Sequence, residues 1–189
     1  MQISNLIKNL ESADSNVRLD AALELCHHPS EATIKALIKT LKDSDPDVRS
    51  CAAESLRLLG DPMAVEPLIE VLKTDIEHKP VYSAIKALGQ LRASKAIEAL
   101  ISALEQRKDN VTGSLSELAL QLGETRAKGA VNALIKLLED GTGYQRIHAA
   151  MALAKIGDRA AVEPLKKVFN DTADDAVREK VEQALQSFR

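Results

Sequence analysis

The chain has 189 residues, of which 45% are hydrophobic and only 2% aromatic, and its formal net charge is −3. Lys and Arg are spread along the sequence without the basic field that a nucleic-acid partner requires, and no apolar run reaches the length of a membrane span. Cys26 and Cys51 are too few for a disulfide framework, and the opening MQISNLIKNL lacks a signal-peptide pattern, so we expect a cytoplasmic protein.

Helical patterns recur with a period of about 31 residues, which indicates pairs of helices stacked into a solenoid. One helix pair cannot bury its apolar stripes alone and must pack on its neighbours. The prediction is a single all-α domain over residues 1–189, a right-handed α-solenoid of six helix pairs and about twelve helices. The repeats span approximately 1–29, 30–60, 61–92, 93–123, 124–157 and 158–189.

The first two repeats carry clear helix start and stop signals. Repeat one closes at residues 27–29, and Ser30 is predicted to cap the helix that follows. Asp45 caps the second helix of repeat two, with Pro46 in its first turn, and Gly60 ends it. Asp61 is expected to start the next helix in the same way.

The later repeats follow the same scheme. The second helix of repeat three is predicted from about Pro80 to Leu91, and that of repeat four from Val111 to Leu122, before Gly123. Repeat five has a turn at 141–143 and then a helical stripe from Ile147 to Ile156. Repeat six contributes two more helices, and the short linkers throughout predict antiparallel neighbours.

The stretch from Asp45 to Leu72 reads DPDVRSCAAESLRLLGDPMAVEPLIEVL. This pattern resembles the HEAT-like repeats of the phycobilisome lyase family, and the resemblance extends unevenly over all six repeats. Repeats three and four depart from it, with Val81 and Thr112 in the place of the signature Arg.

The signature Arg recurs in four of the six repeats, and in three of them an Asp precedes it by four residues. Such recurrence favours hydrogen bonds between loops and helix starts over a row of anion-binding groups. The resemblance also implies a structural role for this pairing. The predicted structural residues are Asp14, Arg18, Asp45, Arg49, Arg146, Asp174 and Arg178.

The resemblance further implies that the second helix of each repeat lines a concave side, with variable positions around the signature pair. Besides the candidates given below, these exposed positions include Ser50, Cys51, Ser83, Asp109, Asn110 and Ser114. Tyr, Ile and Met at such positions are typical of residues that anchor a partner. The alternative, that these side chains pack under neighbouring loops, stays open. The candidate partner-binding residues are Leu19, Leu23, Glu54, Tyr82, Lys86, Glu117, Tyr144, Ile147, His148 and Met151.

Signals for catalysis and metal binding are weak. The four histidines and Cys26 lack the paired spacing of a zinc site, and no nucleophile has a readable general base. A Gly-rich phosphate loop after a strand is also missing. The sequence therefore predicts no catalytic residue, no metal and no cofactor.

The predicted function is a non-enzymatic scaffold that binds a protein partner on its concave face. The alternative that the resemblance favours is a bilin lyase subunit, or a related phycobilisome factor, acting on phycobiliproteins; the scarcity of aromatic surface for stacking on a pigment weighs against it. A purely structural or self-associating solenoid is the third possibility.

Overall fold

The computed structural model describes residues 2–106 and 113–188. These residues form twelve α-helices with short 3₁₀ turns and contain no strand, so the all-α prediction of paired helices is confirmed. The helices are α1 (Ile3–Asn9), α2 (Ser15–Leu25), α3 (Glu31–Thr40), α4 (Pro46–Leu59), α5 (Val65–Thr74), α6 (His78–Leu91), α7 (Ser94–Gln106), α8 (Leu115–Glu124), α9 (Val131–Asp140), α10 (Gly143–Ile156), α11 (Val162–Asp171) and α12 (Asp175–Gln186).

The chain divides into two compact units, Met1–Ala96 and Ile97–Arg189, with the division inside α7. In unit 1, the second helices of the repeats, α2, α4 and α6, pack side by side, and the first helices, α1, α3 and α5, form the other layer. In unit 2, α10 packs against both α8 and α12, while α9 and α11 pair on the other side. The single domain over 1–189 stays a prediction.

Small side chains let the second helices approach closely. Ala22 of α2, Ala52 and Ala53 of α4 and Ala84 of α6 are each 0% exposed, and α4 packs against both α2 and α6. The Ser55 hydroxyl donates a buried hydrogen bond of 2.8 Å to the carbonyl of Ala22, so a polar group also ties α4 to α2. Dense packing of this kind makes the layer of second helices a rigid support for the side chains on its outer surface.

The predicted helix caps are present. The hydroxyl of Ser30 accepts the N–H of Thr33 at 3.1 Å, and the carboxylate of Asp45 accepts the N–H of Asp47 at 2.8 Å. Gly60 closes α4 with φ 68°, a left-handed conformation that favours glycine. Asp61 caps a 3₁₀ turn that leads into α5. The helix is therefore preceded by a 3₁₀ turn, whereas the sequence indicates that it starts directly after Asp61.

Two helix boundaries differ from the prediction. Helix α6 begins at His78, two residues before Pro80. A proline is tolerated in the first turn because N–H groups there have no intrahelical acceptor, so the N–H that proline lacks costs no hydrogen bond. Helix α8 continues through Gly123 to Glu124, and Arg126 takes the positive φ of 53° beyond its end. The predicted start of that helix at Val111 lies outside the described residues.

Gly123 has a packing role in place of the expected helix-ending role. A Cβ at this position would lie 2.8 Å from the Cα of Ala152 in α10. The glycine therefore permits the close contact between α8 and α10. In repeat five, α10 begins at Gly143, and a capping box between Thr142 and Gln145 sets its start four residues before Ile147.

Candidate functional site

The signature Arg of repeat one lies in a network of hydrogen bonds between loops. Arg18 donates from Nε and Nη2 to the two carboxylate oxygens of Asp43, at 2.7 and 2.8 Å, and from Nη1 to the carbonyls of Ser12 and Ala13. The two charged side chains are only 12% and 10% exposed. The hydrogen bond from Arg18 holds the pKa of Asp43 below its usual value.

Repeat two makes the same contacts, one repeat further along the chain. Arg49 donates to both carboxylate oxygens of Asp75, at 2.6 and 3.0 Å, and to the carbonyls of Asp43 and Ser44. Burial raises the pKa of Asp75, but hydrogen bonds from Arg49 and from backbone N–H groups outweigh that effect and lower it overall. Because Asp43 takes part in both rungs, the loops of unit 1 form one continuous Arg–Asp ladder.

The Asp residues that precede three of the four signature arginines by four residues serve as helix caps. Asp14 accepts the N–H of Asn16 at 2.9 Å, and Asp174 accepts the N–H groups of Ala176 and Val177. Asp45 makes the equivalent contact in α4. The bidentate partner of the signature Arg is a different Asp, in the loop of the following repeat.

In unit 2 the equivalent arginines have other partners. Within the described residues, the guanidinium of Arg146 donates one hydrogen bond, from Nε to the carbonyl of Leu138 at 3.0 Å. The position that corresponds to Asp43 and Asp75 in the next repeat holds Thr172, whose hydroxyl accepts the N–H of Asp174. Arg178 contacts the Asp175 carboxylate at 2.6 Å and the carbonyl of Thr172.

Five of the candidate partner-binding residues lie on the second helices of unit 1. We call this surface the unit 1 face: Leu19, Leu23, Glu54, Tyr82 and Lys86. All but Tyr82 line a single open groove between α2, α4 and α6. Leu23 is 49% exposed and Tyr82 is 37% exposed, although leucine and tyrosine are bulky and largely apolar.

Polar contacts fix the geometry around the unit 1 face. The Arg57 guanidinium donates to both carboxylate oxygens of Glu54, at 2.9 and 2.6 Å, and this contact lowers the pKa of Glu54. The ammonium of Lys86 lies 5.7 Å from the ring centroid of Tyr82, within cation–π range. The ring of His78 stacks with that of Tyr82, with centroids 5.9 Å apart. The tyrosine is therefore exposed but held in position.

The other five candidates form the unit 2 face: Glu117, Tyr144, Ile147, His148 and Met151. Tyr144 is 67% exposed and Met151 is 37% exposed, while Ile147 and His148 are half-buried. The ring of His148 lies 4.3 Å from that of Tyr144, and its Nδ1 is 2.9 Å from the Tyr144 carbonyl oxygen. Glu117 accepts a hydrogen bond of 2.7 Å from Gln121 on the same helix.

Several positions expected on the exposed face are buried. Cys51 and Ser83 are each 9% exposed, and Ser114 is 1% exposed. Cys51 packs against α2, with its sulfur 3.7 Å from the Leu19 carbonyl oxygen, and burial raises the pKa of its thiol to about 11. Ser83 shares a hydrogen bond of 3.0 Å with Ser50 on α4. These small side chains belong to the helix contacts, and the expected positions at Asp109 and Asn110 lie outside the described residues.

Sequence reasoning missed Asp43 and Asp75, the acceptors of the ladder. Each lies six residues before the signature position of its own repeat and also accepts a loop N–H, from Asp45 at 2.9 Å and from Glu77 at 3.0 Å. An alignment of the repeats would have shown Ser12, Asp43, Asp75, Asp140 and Thr172 at this shared position.

The described residues hold no group of three or more His, Cys, Asp or Glu side chains arranged to bind a metal ion. Across the same residues, every helix is too short or too polar to cross a bilayer.

Comparison with family profiles gives two matches. The profile described as HEAT repeats matches residues 3–80 and 115–186, and that of the PBS lyase HEAT-like repeat matches residues 81–106. Comparison with the curated proteins gives no matching sequence.

Solved structures share the architecture at low sequence identity. A crystal structure of an engineered protein from the Northeast Structural Genomics Consortium has a TM-score of 0.66 at 24% identity, over 100% of this chain and 97% of that one. Computationally designed armadillo repeat proteins for modular peptide recognition have a TM-score of 0.58 at 20% identity, over 100% of both chains. These likenesses show the fold alone.

The complex of CpcE and CpcF of phycocyanin lyase from Nostoc sp. PCC7120 is also similar, at 21% identity over 100% of this chain and 95% of that chain. Its TM-score is 0.41, which is too low to carry an argument about activity.

Proposed function

Because the chain belongs to the HEAT repeat family, we propose that it is a non-enzymatic scaffold that binds a protein partner through the outer surface of its second helices. The observation that carries this proposal is the exposure of large apolar side chains on both faces: Leu23 and Tyr82 in unit 1, and Tyr144 and Met151 in unit 2. Anchors of a protein interface are commonly of this type.

The unit 1 face supports the proposal because its exposed side chains stand on a dense layer. Alanines pack the helices beneath them, and His78 and Lys86 surround Tyr82. An anchor that is already ordered loses little conformational entropy when it binds. Charged groups beside the groove, Asp47, Glu54 and Lys86, would set the orientation of the partner more than its affinity.

The experiment that tests the scaffold is a comparative affinity capture from lysate of the source organism. The unit 1 variant carries Leu23→Ser and Tyr82→Ser, and the unit 2 variant carries Tyr144→Ser and Met151→Ser. The matched control is Met63→Ser with Ile76→Ser, which removes two side chains that are 45% and 82% exposed but lie outside both faces. We expect all three variants to remain helical by circular dichroism.

A protein that wild type and the control capture, and that either face variant loses, supports the proposal. Raised salt is expected to remove only part of the binding, because apolar anchors are not screened. Loss of helical structure in the face variants would show that these side chains belong to the core. Equal capture by all forms would show that the partner binds elsewhere.

A bilin lyase component is the second candidate function, supported by the PBS lyase HEAT-like repeat match at residues 81–106. That segment includes Tyr82 and Lys86 of the unit 1 face. The test is the visible absorbance of a bilin mixed with the purified protein. A changed spectrum that Tyr82→Ser abolishes would favour this candidate, together with phycobiliprotein subunits among the captured proteins. An unchanged spectrum favours the scaffold.

A further inference from the structure

The second helices of unit 1 carry opposite charges at the two edges of the unit 1 face. Helix α2 has Asp20 and Glu24, which are both exposed, and its single arginine is already bound in the Arg–Asp ladder. Helix α6 has Lys79 and Lys86 and contains no acidic residue. The α2 edge of the face is therefore acidic, and the α6 edge is basic.

Between the two edges, the carboxylates of α4 already have basic partners. Asp47 pairs with Lys79 at 2.6 Å, and the Arg57 guanidinium holds both carboxylate oxygens of Glu54. Arg57 is the main cause of the lowered pKa of Glu54, and the charge of Lys86 adds to it, so Lys86 lies near a carboxylate that is already paired. Lys86 itself has no salt bridge within the part of the chain that the structure describes.

The acidic edge lies beside the groove of the unit 1 face. Leu19 and Leu23, on either side of Asp20 in the sequence, both line that groove. Burial is the main cause of the raised pKa of the groove residue Cys51, and the carboxylate of Asp20 raises it further. Among the described residues Asp20 also has no salt bridge, so it and Lys86 are charges of opposite sign that a partner can neutralise.

Other titratable groups lie at the ends of these helices. The imidazole of His28, after α2, lies 3.7 Å from the carboxylate of Glu24, and Glu77 precedes α6 at its N-terminus. Asp20 and Lys86 lie within the helices, so the two edges keep opposite signs there.

Large apolar side chains are exposed at both edges as well, Leu23 on α2 and Tyr82 on α6. Helix α4 packs against both of these helices and therefore lies between the two edges. A two-fold axis through α4 and perpendicular to the face would place α2 of one copy over α6 of another. Each edge would then meet the edge of opposite charge, and the leucine edge would meet the tyrosine edge, twice in the assembly.

We propose that the unit 1 face binds a second copy of this chain, in a two-fold symmetric dimer that places α2 of each copy over α6 of the other. A partner with only acidic groups would complement the α6 edge and be repelled by the α2 edge, whereas a second copy complements both. This proposal rests on the scaffold function, since it names the partner of the unit 1 face, and it leaves the unit 2 face for a different protein.

The test is the molar mass of the purified chain alone, measured by sedimentation equilibrium over a series of concentrations. Two variants, Asp20→Lys and Lys86→Glu, each give like charges at both copies of the contact between the edges. The control is Lys136→Glu, an exposed position of α9 in unit 2, which changes the net charge as Lys86→Glu does. Circular dichroism checks that every variant remains helical.

We expect wild type and Lys136→Glu to dimerise equally, and each of the two edge variants to dimerise at least about tenfold more weakly. An equal mixture of the Asp20→Lys and Lys86→Glu chains should dimerise as wild type does. In that mixed dimer both contacts again join a lysine to a carboxylate, which only a two-fold arrangement of these edges provides.

A wild type that is monomeric at every concentration overturns the proposal, as does a dimer that neither edge variant weakens or a mixture that fails to recover dimerisation. The scaffold function is judged separately by the capture experiment. If wild type is monomeric but captures a protein that the unit 1 variant loses, the scaffold stands and the unit 1 face binds that protein instead.

Discussion

At the scale of single residues, the guanidinium of Arg49 joins three parts of unit 1. It holds the Asp75 carboxylate after α5 and the carbonyls of Asp43 and Ser44 before its own helix. A lysine has one ammonium and cannot reproduce this planar set of donors. The side chains of Arg49 and Asp75 are 14% and 8% exposed, so the contact is poorly screened by water.

We therefore expect Arg49→Lys to lower the free energy of unfolding by about 1–2 kcal/mol, measured by urea denaturation. Lys79→Arg is the matched control, because Lys79 pairs with Asp47 at 2.6 Å but is 69% exposed. That change should alter stability by less than about 0.5 kcal/mol. Equal effects of the two substitutions would contradict a structural role for the ladder.

Unit 2 contains an incomplete rung, which leads to a gain-of-stability prediction. Among the described residues, Arg146 has no carboxylate partner like those of Arg18 and Arg49, and Thr172 occupies the acceptor position. Thr172→Asp should add up to about 1 kcal/mol to the free energy of unfolding. The gain should disappear when Arg146→Gln is introduced as well. If the single substitution destabilises the protein, an unpaired carboxylate has been buried at residue 172.

At the scale of helices, the close contact between α8 and α10 requires a residue without a side chain at position 123. Gly123→Ala should lower the free energy of unfolding by about 1–3 kcal/mol, because the new methyl would meet the backbone of Ala152. Gly129→Ala is the control: its Cβ would meet only the tip of Ile101, at 3.3 Å, which can move aside. Thermal unfolding followed by circular dichroism separates the two outcomes, and similar melting temperatures would contradict this account of Gly123.

Helix boundaries could be predicted where a local sequence signal sets them. They were missed where packing against a distant part of the chain sets them. Ser30, Asp45 and Gly60 act through their own backbone or the next turn, so the sequence alone indicates them. Gly123 looked like another helix end, since nothing local shows that Ala152 lies against it.

The candidate site shows the same division between local and distant information. The positions of the unit 1 face are those that the resemblance to HEAT-like repeats implies, and four of its five residues line one groove. The burial of Cys51 and Ser83 depends on α2 and α4, which the spacing does not describe. Asp43 and Asp75 were missed because their partners lie 25 and 26 residues away in the sequence.

At the scale of the whole molecule, the ladder predicts sensitivity to acid. The folded pKa values of Asp43 and Asp75 are depressed below the unfolded value of about 3.9, so their contribution is present above that pH and is lost as the pH falls through the folded values. We expect the urea concentration at the midpoint of unfolding to decrease as the pH is lowered below about 4. Asp75→Asn should be less stable at pH 7 and show a smaller decline, and parallel pH profiles would contradict this assignment.

The chain has two tyrosines and no tryptophan, and each compact unit contains one tyrosine. Each phenol ring also lies beside an imidazole, Tyr82 with His78 and Tyr144 with His148. Intrinsic ultraviolet emission above that of phenylalanine therefore comes from one tyrosine per unit. Replacing either tyrosine by phenylalanine leaves a protein whose emission reports on a single unit, without any attached dye.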